Sequence, residues 1–498
     1  MDRKRKKKLE NARVIMTNIF MGISVIGIVF FLMLLAMGYN FNEKGGIVQS
    51  GLIQISSNPK GSSVEIDGEA QFSRTDFSKM LSSGKHNVKI SKSGYDTWEK
   101  TIDVDPGLLT RVEWARLFPT KTEISSVANY SNIRLAEFSS DHKRLLIIEH
   151  NSPVLQFIDI QGEKINSHKI SLNDALSKNE NVLEGEIKLI SWNETGNKII
   201  VSWTRSEKNS WHLIDLENVH KSLNLNTKFG MTFNDIRILN DSASKLWALE
   251  NGRIHIIDTD SQTISGVLIS NVEKFTNNKD VISYVDVDET DNNYRKLRVY
   301  KEGEKGSTTI LNLKEKNPNI ALAMGGYWNE SWLAYSTDNH IVVSSGTYPS
   351  FDRPSKNNLK DIVKRDLEYT PNLVSTNQLG RIVIFTGASN LTSIDIETRN
   401  YYDSNTETEI ATLNWLDSYL IWENNNEKIV IRDFDGDNRR EILDVNNPLP
   451  VNITENNRWL YFFEIKSAEV DKNGNAKGKD KSTSTTDTIY TLKRQKLE

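Results

Sequence analysis

Residues 189–201 read Leu-Ile-Ser-Trp-Asn-Glu-Thr-Gly-Asn-Lys-Ile-Ile-Val, and after a polar stretch a third apolar run ends at Leu213-Ile-Asp215. Residues 135–148 (LAEFSSDHKRLLII) show the same order of an apolar-aromatic segment, a polar turn and a second apolar segment, and Phe157-Ile-Asp159 follows them. Short apolar runs bounded by Asn, Asp, Ser and Gly are typical of β-strands joined by tight turns. Each stretch therefore predicts a unit of three antiparallel strands.

This unit recurs along the rest of the chain. Weaker copies begin near Ile236, Val272, Tyr327, Asn372, Leu413 and Val451, so that eight copies follow one another at intervals of about 37–54 residues. A period of that length with three or four strands per copy is typical of a β-propeller. We therefore predict a β-propeller over residues 119–498, with eight blades favoured and seven as the alternative. A tandem of β-sandwiches is the rival architecture, but it would not require even spacing.

Closure of the ring is also predicted from the sequence. A four-stranded blade has two apolar faces that it cannot bury alone, so blades stack in a ring. The segment 122–127 (TEISSV) precedes the first copy and is expected to complete the last blade. The first copies, with Phe138-Ser-x-Asp141 and aliphatic-Asp endings, resemble TolB-type and related WD-like propeller repeats, although no repeat ends in Trp-Asp.

Two segments interrupt the repeat. Residues 467–487 are polar and rich in Lys, Ser and Thr, which predicts a disordered hairpin tip. Residues 345–370 contain two prolines and a basic, helix-like run that ends at Lys364-Arg365, so we expect a short helical excursion there.

A smaller β domain is predicted over residues 51–118. Alternating apolar residues are separated by turn residues, including an Asp67-Gly68 hairpin signal. The pattern resembles the PEGA domain, a small β-sandwich of bacterial surface proteins, at Pro59, Gly61, Val64, Ile66, Asp67, Gly68, Leu81, Gly84, His86, Val88, Ile90, Gly94 and Tyr95. The resemblance implies a binding or spacing module and transfers no ligand residues. We expect His86 to have a structural role.

A membrane-spanning helix is predicted before this domain, over residues 14–38. Residues 14–37 contain no charged side chain, and 24 residues of helix extend about 36 Å, enough to cross a hydrocarbon core of about 30 Å. Seven Lys and Arg residues lie in the preceding segment 1–13, which predicts a cytoplasmic basic tail and an extracytoplasmic body. Residues 39–50 are expected to be a linker. The alternative is a cleaved signal peptide with Ala36-Met37-Gly38 as the processing site, but its apolar core would be unusually long.

Charge and cysteine content exclude several function classes. The net charge of -4 combines about +5 in residues 1–13 with about -9 in the remainder, so the body has no basic character suited to nucleic acid. The chain has no cysteine, which excludes disulfides, thiolate catalysis and cysteine-bound metals. No nucleophile elbow, phosphate-binding loop or zinc-protease motif is present. We therefore predict no catalytic residues and no cofactor, with one qualification.

That qualification is a candidate calcium site formed by Asp433, Asp435, Asp437 and Asp444. Carboxylates at alternate positions suit Ca²⁺, and Asp444 falls at the twelfth position of the loop. However, Asn438 occupies the sixth position, where Gly is usual, and the flanks are strand-like. The favoured alternative is that these residues form a hairpin turn.

The tryptophans are a second candidate group, and they are Trp192, Trp203, Trp211, Trp328, Trp332, Trp415, Trp422 and Trp459. They could line a funnel that binds sugars or peptides, but packing between blades is the favoured interpretation for any one of them.

The leading functional hypothesis is a membrane-anchored binding or scaffolding protein whose propeller binds a protein or a cell-envelope glycan. An extracellular propeller enzyme acting on sugars or peptides is the first alternative, and it predicts several acidic or histidine side chains converging in the central funnel. A structural subunit of an envelope assembly, with no ligand of its own, is the second. The sequence leaves the oligomeric state open.

Overall fold

The computed structural model describes residues 2–36, 38–41, 47–121, 123–177, 180–287, 294–313, 318–354, 358–406, 412–424, 428–444, 447–465 and 488–497. The chain divides into two compact units, residues 1–121 and 122–498.

The first unit begins with helix α1 (Asp2–Ala36). Within it, Arg13–Leu34 forms a 22-residue segment with a mean hydropathy of 2.3 and no burial against the protein. Among the described residues this is the one helix long and apolar enough to cross a membrane. A helix satisfies its own backbone hydrogen bonds, which is what an apolar lipid environment requires.

The rest of the first unit is a two-sheet β domain. Its strands are β1 (Tyr39–Phe41), β2 (Ile47–Asn58), β3 (Ser63–Ile66), β4 (Glu69–Ala70), β5 (Phe77–Ser82), β6 (Gly84–Ser91), β7 (Trp98–Val104) and β8 (Leu109–Arg116). One sheet has the order β4-β3-β6-β7. In the other, β2 pairs antiparallel with β1 and β5 and parallel with β8. Both strands β1 and β2 lie partly within residues 39–50, so the linker predicted there is wrong in its described part.

Alternation of apolar and polar residues explains this sandwich. Strand β7 alternates strictly between buried and exposed side chains, with Trp98 and Val104 on its buried face. The inward residues of both sheets, including Ile53 and Val88, form one core. At the predicted hairpin, Ile66 pairs with Glu69, and Asp67 and Gly68 have φ values of 54° and 82°. Positive φ at both central residues is the geometry that favours Asp-Gly in a two-residue turn.

Within the described residues, the second unit contains eight four-stranded antiparallel sheets, which we number as blades 1–8 along the chain. Strand β9 (Ile124–Ser131) precedes them. Blade 1 comprises β10 (Ile133–Phe138), β11 (Arg144–Glu149), β12 (Val154–Asp159) and β13 (Asn166–Ser171), and blade 2 comprises β14 (Glu186–Trp192), β15 (Lys198–Arg205), β16 (Lys208–Asp215) and β17 (Leu223–Asn224). Blade 3 comprises β18 (Asp235–Ile238), β19 (Lys245–Glu250), β20 (Arg253–Asp258) and β21 (Thr263–Ile264). Blade 4 comprises β22 (Val272–Asn278), β23 (Val281–Val287), β24 (Arg295–Lys301) and β25 (Thr308–Leu313).

Blade 5 comprises β26 (Ile320–Tyr327), β27 (Glu330–Thr337), β28 (His340–Gly346) and β29 (Lys360–Asp366), and blade 6 comprises β30 (Leu373–Thr376), β31 (Ile382–Thr386), β32 (Asn390–Asp395) and β33 (Tyr401–Asn405). Blade 7 comprises β34 (Thr412–Trp415), β35 (Leu420–Asn424), β36 (Lys428–Asp433) and β37 (Arg440–Asp444). Blade 8 contains β38 (Asn452–Ile453), β39 (Trp459–Ile465) and β40 (Ile489–Lys496). Short helices α2 (Leu172–Ala175) and α3 (Leu225–Phe229) and a 3₁₀ turn (Val219–Lys221) lie in blade connections.

The eight-bladed propeller and its closure are confirmed. Strand β9 pairs with β40 and so supplies the outermost strand of blade 8 from the beginning of the domain. An apolar cluster joins blade 8 to blade 1, and similar clusters join each of blades 1–5 to the blade that follows it. The central strands, such as β31 with five buried residues in succession, are covered on both faces because each lies between two neighbouring blades.

The helical excursion predicted within residues 345–370 is wrong in its described part. Residues 360–366 form strand β29, which pairs with β28 as the outermost strand of blade 5. Only Val363 of this strand is buried, because an outermost strand is covered on little of its surface. Because most residues of β29 are charged, its sequence resembles that of a solvent-exposed helix. The predicted disordered tip at 467–487 lies outside the described residues, and strands β39 and β40 pair on either side of it.

Candidate functional site

The predicted calcium ligands do not come together as a set of four. Asp433, Asp435 and Asp437 lie in the turn between β36 and β37, where the amide of Asn438 donates to Asp433 Oδ2 at 2.9 Å. Asp444 pairs through its backbone with Lys428, at the opposite end of the same hairpin. Lys428 and Asp433 are five residue steps apart along the strand, a distance of about 17 Å. No cluster of three or more His, Asp or Glu side chains in the described part of the chain could hold a metal ion.

These aspartates instead organise a turn. Asp433 and Asp435 are buried, the backbone amide of Gly436 donates to the Asp433 carbonyl oxygen, and the amide of Asp437 donates to Asp435 Oδ1. Asn438 has a φ of 52°, a left-handed conformation that Asn tolerates better than most residues. Backbone and side-chain hydrogen bonds thus hold these residues in a hairpin turn.

Most of the predicted tryptophans pack between blades, as the favoured interpretation held. Fully or almost fully buried are Trp203, Trp211, Trp332, Trp422 and Trp459. Trp328 is the opposite case, because 78% of its surface is exposed at the tip of the β26–β27 hairpin. Two tryptophans, Trp415 and Trp422, line a cavity at the centre of the ring.

This axial cavity has a volume of about 260 Å³ and is lined by residues of four blades. They are Glu137, Phe138, Ser139, Ser140 and His142 of blade 1, Thr376 and Gln378 of blade 6, Asn414, Trp415 and Trp422 of blade 7, and Pro450, Val451 and Asn452 of blade 8. All except Trp422 lie in innermost strands or in the segments next to them. Since blades 1 and 6 are not neighbours in the ring, their innermost strands can border one cavity only near the axis.

Several polar atoms at this end of the innermost strands have no hydrogen-bond partner within the described residues. They occupy the last two positions of four different strands and are Ser191 Oγ, Trp192 Nε1, Ser375 Oγ, Trp415 Nε1 and Asn452 Nδ2. Of these, Trp415 and Asn452 line the axial cavity. A buried donor that lacks a partner costs about 1–3 kcal/mol, and such atoms in native proteins usually meet water or a ligand.

Glu137 is the acidic residue of the cavity. It is the second-to-last residue of β10 and is partly buried, and its carboxyl group forms no hydrogen bond or ion pair with a described residue. Burial disfavours the charged form and raises the pKa of Glu137 to about 7. The nearest base on the same strand, Arg134, is held elsewhere, because its guanidinium donates to the carbonyl oxygens of Val182, Glu184 and Gly185.

His142 and Asn452 join blades 1 and 8 at the wall of the cavity. His142 Nδ1 lies 2.6 Å from Asn452 Oδ1, the geometry of an N–H donated to an amide oxygen. His142 adopts a φ of 58° in the β10–β11 turn, and its carbonyl oxygen accepts from the backbone amide of Glu455. With Asn452 Oδ1 engaged in this way, Asn452 Nδ2 has no hydrogen-bond partner in the described part of the cavity wall.

The turn that contributes Gln378 is fixed by a buried ion pair in blade 6. Arg381 Nε and Nη2 donate to Asp395 Oδ1 and Oδ2 at 3.0 and 2.8 Å, and both side chains are 2% exposed. Asn377 adds to this, because its Oδ1 accepts from the backbone amides of Arg381 and Ile382. These buried contacts therefore hold in place the β30–β31 turn, which contributes Gln378 to the cavity wall.

Comparison with known proteins identifies the smaller β domain. Residues 50–115 match the sequence model of the PEGA domain. These residues are a PEGA domain. The match covers the sandwich described above, and within the PEGA domain His86 is buried, with Nδ1 2.6 Å from Asp67 Oδ2 and Nε2 2.8 Å from the Ser82 carbonyl oxygen. Both ring nitrogens thus connect the hairpin to strand β5, which agrees with a structural role.

Solved structures similar to the chain include several propeller-containing proteins. An oligogalacturonate lyase in complex with manganese shares 10% identity, covers 76% of this chain and 98% of its own, and has a TM-score of 0.39. Apo AztD from Citrobacter koseri shares 12% identity over 74% and 94% of the two chains, with a TM-score of 0.40. Dipeptidyl peptidase 4 from Porphyromonas gingivalis shares 10% identity over 67% and 56%, with a TM-score of 0.47. No curated protein matches the chain in sequence.

Of the lining residues, Trp415 and Trp422 were predicted from the sequence as candidate ligand-binding residues. Glu137, His142 and Asn452 were not predicted. Glu137 stands in the segment Leu-Ala-Glu-Phe, where a polar residue between apolar ones is normally the solvent-facing position of a strand. One signal was available. Residues at the end of an innermost strand lie near the axis of any propeller. A carboxyl group at that position is therefore a candidate for a site on the axis, and not simply a solvent-facing strand residue.

Proposed function

We propose that this chain is a membrane-anchored, extracytoplasmic binding protein whose propeller binds a cell-envelope glycan in the axial cavity. The α1 helix acts as an uncleaved anchor, and the basic residues that precede it keep the N-terminus in the cytoplasm. The PEGA domain then lies outside the membrane together with the propeller.

The axial cavity is the observation that carries this proposal. It combines an aromatic ring at Trp415 with unpaired donors at Trp415 Nε1 and Asn452 Nδ2 and with further polar groups at Asn414 and Thr376. Ligand sites typically join apolar or aromatic walls to a few placed polar groups. Sugar rings offer the matching chemistry, because they present apolar C–H faces to an aromatic ring and hydroxyl groups to amides.

The size of the cavity indicates how such a ligand is held. Its volume of about 260 Å³ falls below the roughly 300–1,000 Å³ of sites for drug-sized molecules. It therefore suits a single unit, such as one sugar ring at the end or on a branch of a polymer. The remainder of a polymer would extend outside the cavity.

The lining residues favour binding over hydrolysis. Glycoside hydrolases typically use two carboxyl groups about 5–9.5 Å apart. The residues that line the axial cavity include one carboxyl group, Glu137, and one imidazole, His142. The several converging acidic or histidine side chains that the enzyme hypothesis requires are not found among the lining residues.

A binding experiment with matched tryptophan variants tests the proposal. The full chain in lipid nanodiscs is titrated with an array of amino-sugar and neutral-sugar oligomers, and binding is followed by surface plasmon resonance. We expect saturable binding to part of the array, and a loss of about tenfold or more in affinity for Trp415→Ala, since both the ring and its donor are removed. Trp328→Ala, which removes an exposed ring outside the cavity lining, is the control and should leave binding unchanged. The proposal fails if no glycan binds saturably, or if both variants bind as tightly as the parent protein.

A further inference from the structure

We infer that the unit bound in the axial cavity carries a positive charge, as an ammonium or trimethylammonium group, which Glu137 and the Trp415 ring hold together. This inference rests on the proposed function and specifies the chemical class of its ligand: a glycan with a free or alkylated amino group instead of a neutral one.

The charge of the cavity is the first argument. Among the described residues, its lining includes the carboxyl group of Glu137 and no lysine or arginine. The one other titratable side chain in the lining, His142, already directs Nδ1 to Asn452 Oδ1. Arg134 on the same strand is engaged by three carbonyl oxygens. Glu137 therefore lacks a compensating cation among the described residues.

The aromatic residues supply the second argument. Phe138, Trp415 and Trp422 border the same cavity from blades 1 and 7. A cation near the face of an aromatic ring is attracted by the ring quadrupole, and tryptophan is the most effective ring. Aromatic walls combined with one carboxylate form the arrangement by which proteins recognise ammonium and quaternary ammonium groups.

The energetics of Glu137 point the same way. A carboxylate that leaves water without a partner carries an electrostatic cost, which here raises its pKa to about 7. A cation within about 4–6 Å removes that cost, whereas a neutral ligand that displaces water from the cavity increases it. Binding of a cation is thus coupled to ionisation of Glu137, and a rising pH should strengthen it.

Matched oligosaccharides of equal length separate charge from shape. The probes are tetramers of N-acetylglucosamine, of glucosamine, and of N,N,N-trimethylglucosamine, and the last has a charge that does not change with pH. With the full chain in nanodiscs at pH 8 and moderate salt, we expect the trimethylated tetramer to bind at least about tenfold more tightly than the acetylated one. Its affinity should fall about tenfold between pH 8 and pH 6, as Glu137 takes up a proton.

Two glutamate variants complete the test. Glu137→Gln keeps the size of the side chain but removes its charge, so it should abolish both the preference for charged tetramers and the pH dependence. Glu186→Gln changes an exposed glutamate on the innermost strand of blade 2, outside the cavity lining, and should retain both. Equal affinity for neutral and charged tetramers, or a charge preference that survives Glu137→Gln, would overturn this inference while leaving glycan binding itself intact. Loss of binding to all three tetramers in every variant, with no other glycan bound, would instead refute the proposed function.

Discussion

At the scale of single residues, blade 1 differs from the other blades because it has a carboxyl group at one structural position near the axis. The second-to-last residue of the innermost strand is Ser191 in blade 2, Arg237 in blade 3, Asn277 in blade 4, Gly326 in blade 5, Ser375 in blade 6, Asn414 in blade 7 and Asn452 in blade 8. Arg237 is the charged residue of this set, and it forms an ion pair with Asp235. In blade 1 it is Glu137. Neutral polar groups near the axis require little compensation, whereas a carboxyl group there must either be protonated or find a cation. The candidate site is therefore an asymmetric feature of a repetitive ring.

The first prediction concerns the stability of the Glu137→Gln variant as a function of pH. Since the pKa of Glu137 is raised from 4.5 to about 7 in the folded protein, the folded state binds more protons than the unfolded state between these values. The contribution of Glu137 to stability is therefore fully present below about pH 4.5 and is lost as the pH rises through about 7. Relative to the parent, the Gln variant should be similarly stable at pH 4.5 and more stable by on the order of 1–3 kcal/mol at pH 8. Urea unfolding of both proteins across this range measures the difference, and parallel pH profiles would contradict the prediction.

At the scale of secondary-structure elements, the turns at the axial end of the blades determine where the lining residues lie. Blade 6 shows this most clearly, since Arg381 and Asp395 fix its β30–β31 turn from the buried side. Although burial opposes its charge, the hydrogen bonds and charge of Asp395 keep the pKa of Arg381 above its ordinary value. Arg381 also contacts Glu397 at 2.8 Å, which places three charged groups around one turn.

The second prediction is that Arg381→Met destabilises the propeller strongly. The substitution leaves Asp395 as a buried carboxylate without its partner, which typically costs about 3–5 kcal/mol. Adding Asp395→Asn removes the uncompensated charge and should recover part of that loss. A double-mutant cycle from denaturant unfolding measures the coupling between the two side chains. Additive effects of the two substitutions would show that the ion pair does not act as a unit.

Element-scale features also explain one success and one failure of prediction from sequence. The Asp67-Gly68 hairpin was predictable because the turn chemistry is local: both residues tolerate the positive φ that a two-residue turn needs. Strand β29 was not, because its charged sequence, Lys-Asp-Ile-Val-Lys-Arg-Asp, has no clear strand alternation. Its conformation depends on pairing with the edge of β28, and the residues of β29 alone do not reveal that pairing.

At the scale of the whole propeller, a single pairing between distant segments closes the ring. Strand β9 pairs with β40, and Thr491 Oγ1 donates to Asn129 Oδ1 at 2.8 Å across 362 residues of sequence. This pairing closes the ring and removes the exposed strand edges that an open array of blades would present.

The third prediction uses the absence of cysteine from the chain to lock this closure. A disulfide between Asn129→Cys and Thr491→Cys would join a very long loop, and the loop-entropy model gives an upper limit of about 6 kcal/mol of stabilisation. The control pair, Thr204→Cys with Asn209→Cys, bridges paired residues of one hairpin in blade 2 and should contribute about 2 kcal/mol at most. Unfolding midpoints of the oxidised and reduced forms give both values. Equal gains for the two pairs would argue against ring closure as a main determinant of stability.

The fourth prediction tests membrane anchoring. If α1 is an uncleaved anchor, the full-length chain should remain in the membrane fraction after alkaline carbonate extraction, with its N-terminal segment still attached. Protease added to intact cells should then digest the PEGA domain and the propeller. Replacing Ile23 and Val29 with Lys places two charges in the apolar segment and should release the chain, since a charge at the centre of a span costs about 2.5–3.5 kcal/mol or more. A mature protein that starts after Gly38 would show that the helix is a signal peptide.

Local and periodic patterns in the amino-acid sequence were sufficient for the architecture: an apolar helix, a sandwich whose strands alternate, and eight strand repeats. These features follow from short-range rules, because strand burial and turn geometry depend on neighbouring residues. The axial cavity required the folded ring, since Glu137, Gln378, Trp415 and Asn452 belong to four blades and Glu137 precedes the other three by more than 200 residues. Which carboxyl group lacks a partner, and which donors remain unpaired beside it, depends on how the blades pack around a common axis. No pattern within a single repeat contains that information.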